Sequence, residues 1–173
     1  MDDIPKVFHL GEKLFTAEDY ANLYRTWDEY EVMAYYQTDP DSCLVAEANG
    51  RVVGFLLGSV IEKRRTAWNY GHLVWLGVSK RYQRYRVASR LFEEFREVME
   101  EQGVRMLLVD TQADNVGAVR FFEKKGFTNP TEHVYMTLNL DALARAEKSG
   151  REEREREKSE RRNQDRGEHP SSH

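Results

Sequence analysis

The stretch that decides the fold is GVSKRYQRYRVASRLF, at Gly77–Phe92. An apolar, strand-like run ends here in a basic segment without further glycine or proline, and a helical pattern begins at Val87. A helix that follows a strand so closely exposes its first backbone N–H groups, which together with the helix dipole favour a phosphate. Arg81, Arg84 and Arg86 add positive charge around the same turn. The segment therefore indicates either an anion-binding turn or a solvated cluster of arginines.

The composition narrows the class of protein. The chain has 173 residues, 40% of them hydrophobic, which suits one domain with a substantial core. Its net charge of −4 and pI of about 5.8 provide no overall basic field for nucleic acid. The single cysteine, Cys43, lies in an apolar run, which favours a buried thiol over a nucleophile and excludes a multi-cysteine metal site. No basic leader or membrane-length apolar run is present, so we expect a cytoplasmic protein that binds neither membrane nor nucleic acid.

Strand and helix patterns alternate along the chain. Thr16 is placed to cap a helix with Asp19 at its third position, and the apolar side chains of that helix recur at Tyr20, Leu23, Tyr24 and Trp27. Asn49-Gly50 separates two strand-like runs, which predicts a hairpin. The further predicted elements are a strand YGHLVWLGV, a helix from Val87 to the stop signal Gly103, a strand RMLLVDT, a helix NVGAVRFFEKK capped by Asp114 or Asn115, and a strand HVYMTLNL.

The composition changes near Ala146. Residues 147–173 contain no large apolar side chain and cannot join a core, so they form either a solvated helix or a disordered tail, with or without a partner. The expected organisation is a domain over residues 1–146 followed by this charged tail.

Two blocks of sequence carry a family resemblance: QRYRVA at 83–88 and DNVGAVRFFEKKGF at 114–127. With the elements around them, residues 70–140 resemble the GCN5-related N-acetyltransferase (GNAT) superfamily, which transfers acetyl from acetyl-CoA to amines. The first block is similar to its pyrophosphate turn, Q/R-x-x-G-x-G/A, except that Arg86 stands where the pattern has glycine. The second is similar to N-x-x-A-x-x-F-Y-x-x-x-G-F, with Phe122 where tyrosine is frequent. The matching residues of the second block are Asn115, Ala118, Phe121, Gly126 and Phe127.

The resemblance implies an α/β structure, the acyl-CoA N-acyltransferase fold. A central mixed, mostly antiparallel sheet of six or seven strands would be flanked by helices, and its two central parallel strands would splay into a V that holds the pantetheine arm of acetyl-CoA. The strand before the turn would carry a bulge, and Gly77 suits either that bulge or a close approach of the ligand to the backbone. A backbone N–H near Val78 would be the oxyanion donor. The cofactor-binding residues so implied are Leu76, Gly77, Val78, Gln83, Arg84, Tyr85, Arg86, Val87, Ala88, Ser89, Asn115 and Phe122.

The resemblance also implies direct attack by an amine, which must first lose a proton to a general base. His72, eleven residues before Gln83, is the first candidate, because imidazole titrates near neutral pH; it could instead simply pack or be hydrated. Asp110, at the end of RMLLVD, is the second, unless it only bonds backbone, and Glu62 is a distant third. Phe122 cannot protonate the departing thiolate as a tyrosine there would.

The acceptor pocket would be built from YRTWDEYEVMAYYQTD at 24–39 and TNPTEHVY at 128–135, with Tyr135 as a lining residue. Their acidic and aromatic residues would attract a cationic amine, or are simply core aromatics alternating with solvated charges. We expect a protein N-terminus or lysine rather than a small amine, no metal, and a monomer or homodimer. The alternative is a catalytically weak acyl-CoA-binding regulatory domain, which Phe122 and Arg86 favour.

Overall fold

The computed structural model describes residues 2–20, 26–62, 68–131, 134 and 136–167. The chain divides into two compact units, Met1–Phe121 and Phe122–His173. The helices are α1 (Ile4–Leu14), α2 (Glu29–Thr38), α3 (Val87–Glu101), α4 (Val116–Lys124) and α5 (Leu140–Gly167). The strands are β1 (Cys43–Ala48), β2 (Arg51–Ile61), β3 (Tyr70–Val78) and β4 (Met106–Val109), and short 3-10 turns occupy Pro40–Ser42 and Lys80–Tyr82.

The first unit is built on a mixed sheet in the order β1-β2-β3-β4. The strands β1, β2 and β3 are antiparallel, and β4 runs parallel to β3, so a mixed and mainly antiparallel sheet is confirmed. Asn49 and Gly50 adopt φ values of 52° and 72°, the left-handed conformations of a tight hairpin turn, as the sequence predicts. The predicted number of six or seven strands is wrong, because the described residues form four.

The pairing of β3 with β4 is short. It begins at Tyr70–Met106 and ends at Leu73–Val109, while β3 continues to Val78. The last part of β3 is therefore paired only with β2 among the described strands. This one-sided stretch leads directly into the basic turn before α3.

A β-bulge lies within β3, at Val74. Leu57 pairs with Trp75 and Gly58 pairs with Leu73, so Val74 has no partner of its own on β2. Such an extra residue bends the strand and changes which face the following side chains occupy.

Because of the bulge, Gly71 and Gly77 lie on opposite faces of the sheet, although residues six positions apart on a regular strand share one face. A Cβ atom placed on Gly71 would lie 2.6 Å from Sδ of Met99 on α3, whereas one on Gly77 would lie 2.7 Å from Cε1 of Phe55 in the core on the other face. The expectation of a bulge at Gly77 is therefore wrong. Glycine is required there because any side chain would collide with the ring of Phe55.

An aromatic core lies on the face of the sheet opposite α3. Ring centroids of Trp27 lie 4.9 Å from Trp75 and 5.2 Å from Phe15, and the indole N–H of Trp27 donates to the carbonyl of Phe8 at 3.1 Å. Gly11 of α1 lies against the Trp27 ring, where a Cβ would lie 2.1 Å from Cζ2. Tertiary packing around one indole thus fixes α1, a helix that the sequence patterns did not predict.

Of the helix predicted after Thr16, the described residues show a single hydrogen-bonded turn up to Tyr20, and Trp27 is not in a helix. The backbone N–H of Asp19 donates to the Thr16 hydroxyl at 3.3 Å, as a capping residue requires, and that of Tyr20 donates to the Thr16 carbonyl at 2.8 Å. Leu23 and Tyr24 lie outside the described residues.

On the other face, α3 buries the expected stripe, whose members are Leu91, Phe92, Phe95 and Met99. The helix ends where predicted: Gly103 has φ of +73°, and the N–H of Val104 returns to the carbonyl of Met99 at 2.9 Å.

The second unit begins inside α4. Gly126, with φ of +97°, ends that helix, and the N–H of Phe127 donates to the carbonyl of Phe122 at 3.1 Å. Of the strand predicted for HVYMTLNL, residues 134 and 136–139 are in neither helix nor strand and Leu140 begins a helix, while residues 133 and 135 lie outside the described residues. The charged tail is helical as far as Gly167, in a helix that already begins at Leu140. Within the described ranges, no helix has the length and apolarity to cross a bilayer.

Candidate active site

The basic turn places backbone N–H groups at the start of α3. The first hydrogen bond of that helix runs from the N–H of Arg90 to the carbonyl of Arg86 at 3.0 Å. The N–H groups of residues 86–89 are therefore the unpaired donors of a helix N-terminus, which can bind an anion. The Gln83 side chain donates to the carbonyl of Val78 at 3.4 Å, so it joins the turn to the end of β3.

Arg86 adopts the left-handed conformation, with φ of 59° and ψ of 19°, and its side chain makes no capping hydrogen bond. Glycine occupies such a conformation without strain, whereas a residue with a Cβ does so at a cost. The family pattern that the sequence resembles has glycine at this position. The backbone of the turn thus has the left-handed conformation that glycine favours, although the residue at this position is arginine.

The one-sided end of β3 contains the expected pantetheine-contacting residues. Leu76, Gly77 and Val78 lie beyond the last residue pair with β4 and ahead of the basic turn. Main-chain groups on a strand edge without a partner can pair with an extended ligand as they would with another strand. The bulge in the β2–β3 pairing, at Val74, lies at the end of this stretch that is farther from the turn.

His72 and Asp110, the two candidate bases, are brought together. Nε2 of His72 lies 3.1 Å from Oδ2 of Asp110, and their side chains are 26% and 76% exposed. His72 pairs with Leu108 in the β3–β4 register, and Asp110 follows the last residue of β4. The contact therefore joins the two strands through their side chains, next to the last backbone pair between them. Glu62 is exposed at the end of β2.

Asn115 caps α4 through its side chain. Its Oδ1 accepts a hydrogen bond from the N–H of Ala118 at 3.2 Å, so the capping role considered for it is confirmed. Phe122 belongs to the second unit, where its ring lies 5.4 Å from that of Phe127. The binding roles expected for Asn115 and Phe122 stay predictions.

A cleft of about 500 Å³ opens beside Asn115. Its lining combines two carboxylates, two amides and a tyrosine, and consists of Asp19, Tyr20, Gln112, Asp114, Asn115, Val116 and Gly117. Asp19 also pairs with Lys80 of the basic turn, with Oδ2 and Nζ 3.8 Å apart. Sequence reasoning gave Gln112 no role, used Asp114 only as a possible helix cap and used Asp19 only as the third residue of the helix capped by Thr16. The signal that could have identified Gln112 is its position just past the carboxyl end of a parallel strand, where α/β proteins bind ligands.

Cys43 does not have the properties of a nucleophile. Burial and the nearby charge of Asp39 raise the pKa of the Cys43 thiol to about 11, and its Sγ lies 3.5 Å from the carbonyl oxygen of Asp39. The neutral thiol is the unreactive form, which argues against a nucleophile, and the residue itself is only half-buried.

The acidic and aromatic segment at 24–39 is only partly free for an acceptor. Asp28 caps α2 by accepting from the N–H of Tyr30 at 2.7 Å, and Tyr30 itself is exposed. Burial, with a contribution from Glu31, raises the pKa of Tyr35. Tyr135 lies outside the described residues. Within the described ranges, no three His, Cys, Asp or Glu side chains are grouped as metal ligands.

The structure combines a mixed sheet, a strand end that is paired with β2 but not with β4, and a helix N-terminus directly after it. This arrangement is the one expected for the acyltransferase family that the sequence resembles. The model of the acetyltransferase (GNAT) family matches residues 10–127, and the chain belongs to that family.

The names of individual relatives indicate different acceptors of the acetyl group. The chain is 33% identical over 107 residues to the mycothiol acetyltransferase of Sanguibacter keddieii, covering 61% of this chain but only 34% of that protein. It is 26% identical over 106 residues to N-alpha-acetyltransferase 30 of Schizosaccharomyces pombe, covering 61% of this chain and 70% of the other. A crystal structure of the NatC complex bound to Gag peptide and CoA superimposes with a TM-score of 0.63 at 16% identity, over 75% of this chain and 79% of the other.

Proposed function

We propose that this protein is an acetyl-CoA-dependent N-acetyltransferase that modifies a primary amine by direct attack on the thioester. The observation that carries the proposal is the run of β3 from the bulge at Val74 to Val78, unpaired with β4 and leading into the N-terminal turn of α3. The pantetheine arm would pair with this edge, and the pyrophosphate would accept from the N–H groups at 86–89.

The position of the bulge changes the expected reaction centre. A strand rises about 3.3 Å per residue, so Val78 lies roughly 20 Å along β3 from His72, whereas Val74 lies only about 7 Å away. We therefore place the thioester, and the backbone donor for its oxyanion, near Val74 rather than near Val78. At that position the side chain of His72 can reach the attacking amine directly or through one water.

The acceptor we propose is a protein N-terminus or a lysine rather than a small amine. The name of the fission yeast relative supports this preference. The carboxylate of Asp114 in the cleft supports a positively charged acceptor, while that of Asp19 is paired with Lys80. We further propose a cytoplasmic monomer or homodimer.

The test is a screen for CoA thiol release with peptide N-termini, lysine peptides, polyamines and aminoglycosides. We expect release with at least one peptide class. For the base, His72→Ala should lower turnover at neutral pH by about 10²-fold or more with little change in acetyl-CoA affinity, since general base catalysis contributes about 10²–10⁴-fold. His9→Ala is the matched control, because His9 is an exposed residue of α1 whose side chain contacts Glu12 and Phe8. Normal turnover of His72→Ala would eliminate His72 as the base.

The second candidate function is an acyl-CoA-binding regulatory domain without catalysis. The left-handed Arg86 favours it, because the strain accompanies a Cβ where the family pattern leaves room for phosphate. Stabilisation against heat by acetyl-CoA, without thiol release across the whole panel, would support this function over the enzyme.

A further inference from the structure

The contact between His72 and Asp110 determines which atom of the imidazole carries the proton. An ionised carboxylate only accepts hydrogen bonds, so at 3.1 Å from Oδ2 of Asp110 the Nε2 atom of His72 must be the donor. In the neutral ring the lone pair then lies on the other nitrogen, Nδ1.

We propose that Asp110 is a positioning residue that fixes this tautomer, and that Nδ1 of His72 is the atom that takes the proton from the acceptor. The inference deepens the proposed function and rests on it. It divides roles between two residues that the sequence offered as rival bases. Asp110 is unsuited to be the base itself, because an ionised carboxylate is a much weaker base than imidazole.

The local fold explains why Asp110 can hold the ring. His72 lies on β3 two residues before the bulge, and Asp110 comes directly after β4, where the two strands stop pairing. Pairing with Leu108 holds the backbone of His72, and Asp110 follows directly after the last pair, Leu73–Val109, so the 3.1 Å contact closes a short loop. The imidazole is largely covered, with 26% of its side chain exposed, whereas the carboxylate is mainly in solvent.

The proton and electron balance is complete without a further reactant. The acceptor ammonium gives one proton to Nδ1, and the freed amine forms the N–C bond at the thioester carbonyl. The C–S bond then breaks, and the CoA thiolate takes up the second amine proton, directly or through water. The imidazolium, now a donor at both nitrogens, stays bonded to Asp110 until it releases its proton to solvent.

The first experiment reads the tautomer directly. The protein labelled with ¹⁵N-histidine is studied by NMR at a pH where His72 is neutral, and its signals are assigned by their loss in His72→Gln. We expect the Nε2–H form in the wild type and in Asp110→Asn, whose amide oxygen can still accept the hydrogen bond, and a mixture of tautomers in Asp110→Ala. A wild-type His72 protonated at Nδ1, or an unchanged spectrum in Asp110→Ala, would overturn the proposal.

The second experiment measures kinetics with the acceptor found in the release screen. Asp110→Ala should lower kcat at least tenfold while the KM for acetyl-CoA stays within twofold, and Asp110→Asn should recover part of the loss. The matched control is Asp41→Asn, which neutralises an exposed carboxylate in the 3-10 turn before β1. Equal kcat values for wild type and Asp110→Ala would refute the role of Asp110. A wild type that releases no CoA with any acceptor defeats the proposed function, and the base role with it, while the tautomer is still decided by NMR.

Discussion

Replacing Arg86 by glycine should make the protein more stable. The residue has φ of 59° and ψ of 19°, and an L-residue pays about 1–2 kcal/mol to adopt this conformation. Glycine removes that strain but has more conformational freedom in the unfolded chain, which offsets roughly 0.5–1 kcal/mol of the gain. No capping hydrogen bond of the side chain is lost. We therefore expect the free energy of unfolding of Arg86→Gly to rise by about 0.5–1 kcal/mol, measured by urea denaturation.

The matched control is Arg86→Ala, which removes the same charge but keeps the Cβ and therefore the strain. Its free energy of unfolding should stay within about 0.5 kcal/mol of the wild type. Equal stabilities of the alanine and glycine variants would refute the claim that strain is stored at this residue.

The same pair of variants tests the binding of acetyl-CoA. Without a Cβ the backbone N–H groups can approach the pyrophosphate more closely, and one charge-assisted hydrogen bond contributes about 1.5–3 kcal/mol. Calorimetry should therefore show about tenfold tighter binding for Arg86→Gly and weaker binding for Arg86→Ala. A loss of affinity in both variants would mean that the charge of Arg86 outweighs its strain.

Two further predictions concern packing and pH. Gly77→Ala should lower the free energy of unfolding by about 1–3 kcal/mol, because its Cβ would lie 2.7 Å from Phe55. Gly117→Ala, whose Cβ would have its nearest atom 3.8 Å away, should lose no stability in the same urea denaturation, because alanine is favoured over glycine in a helix such as α4. Equal losses in the two variants would contradict this. Because the pKa of Cys43 rises from 9.0 to about 11 on folding, by burial and then by Asp39, the unfolded thiol loses its proton first, and the free energy of unfolding should fall between pH 9 and 11. Denaturation series at several pH values check this, and a Cys43→Ala variant with the same fall would refute the assignment.

Local sequence signals correctly predicted the turns and helix ends that depend on the backbone conformation of one or two residues. The left-handed Asn49-Gly50 turn and the Gly103 stop signal appear where the sequence placed them, because each depends on the conformational freedom of one or two residues. The α1 helix escaped prediction for the opposite reason. It depends on Gly11 leaving room for the indole of Trp27, a contact over 16 positions of the chain that no local pattern contains.

The candidate site was predictable as a set of residues but not as an arrangement. His72 and Asp110 were both identified, since each is a polar residue on or just after a strand near the basic turn. That they form one pair depends on the parallel register that sets His72 beside Leu108, and register is not visible in either segment alone. The position of the bulge was missed for a related reason, since Gly77 looked like the residue that needed one.

The sequence does contain the information that places the bulge, but on a different element. On the α3 face, a Cβ at Gly58 would lie 2.4 Å from Cε2 of Phe95, and one at Gly71 would lie 2.6 Å from Sδ of Met99. Two large side chains one helical turn apart on α3 therefore need two glycines beneath them, one on each of two paired strands. A slip of β3 by one residue would turn Gly71 away from Met99 and put a side chain in its place. The ring of Phe55 needs Gly77 on the opposite face, but residues six positions apart on a regular strand share one face. One extra, unpaired residue must therefore lie between Gly71 and Gly77, and this residue is Val74, near the proposed base His72.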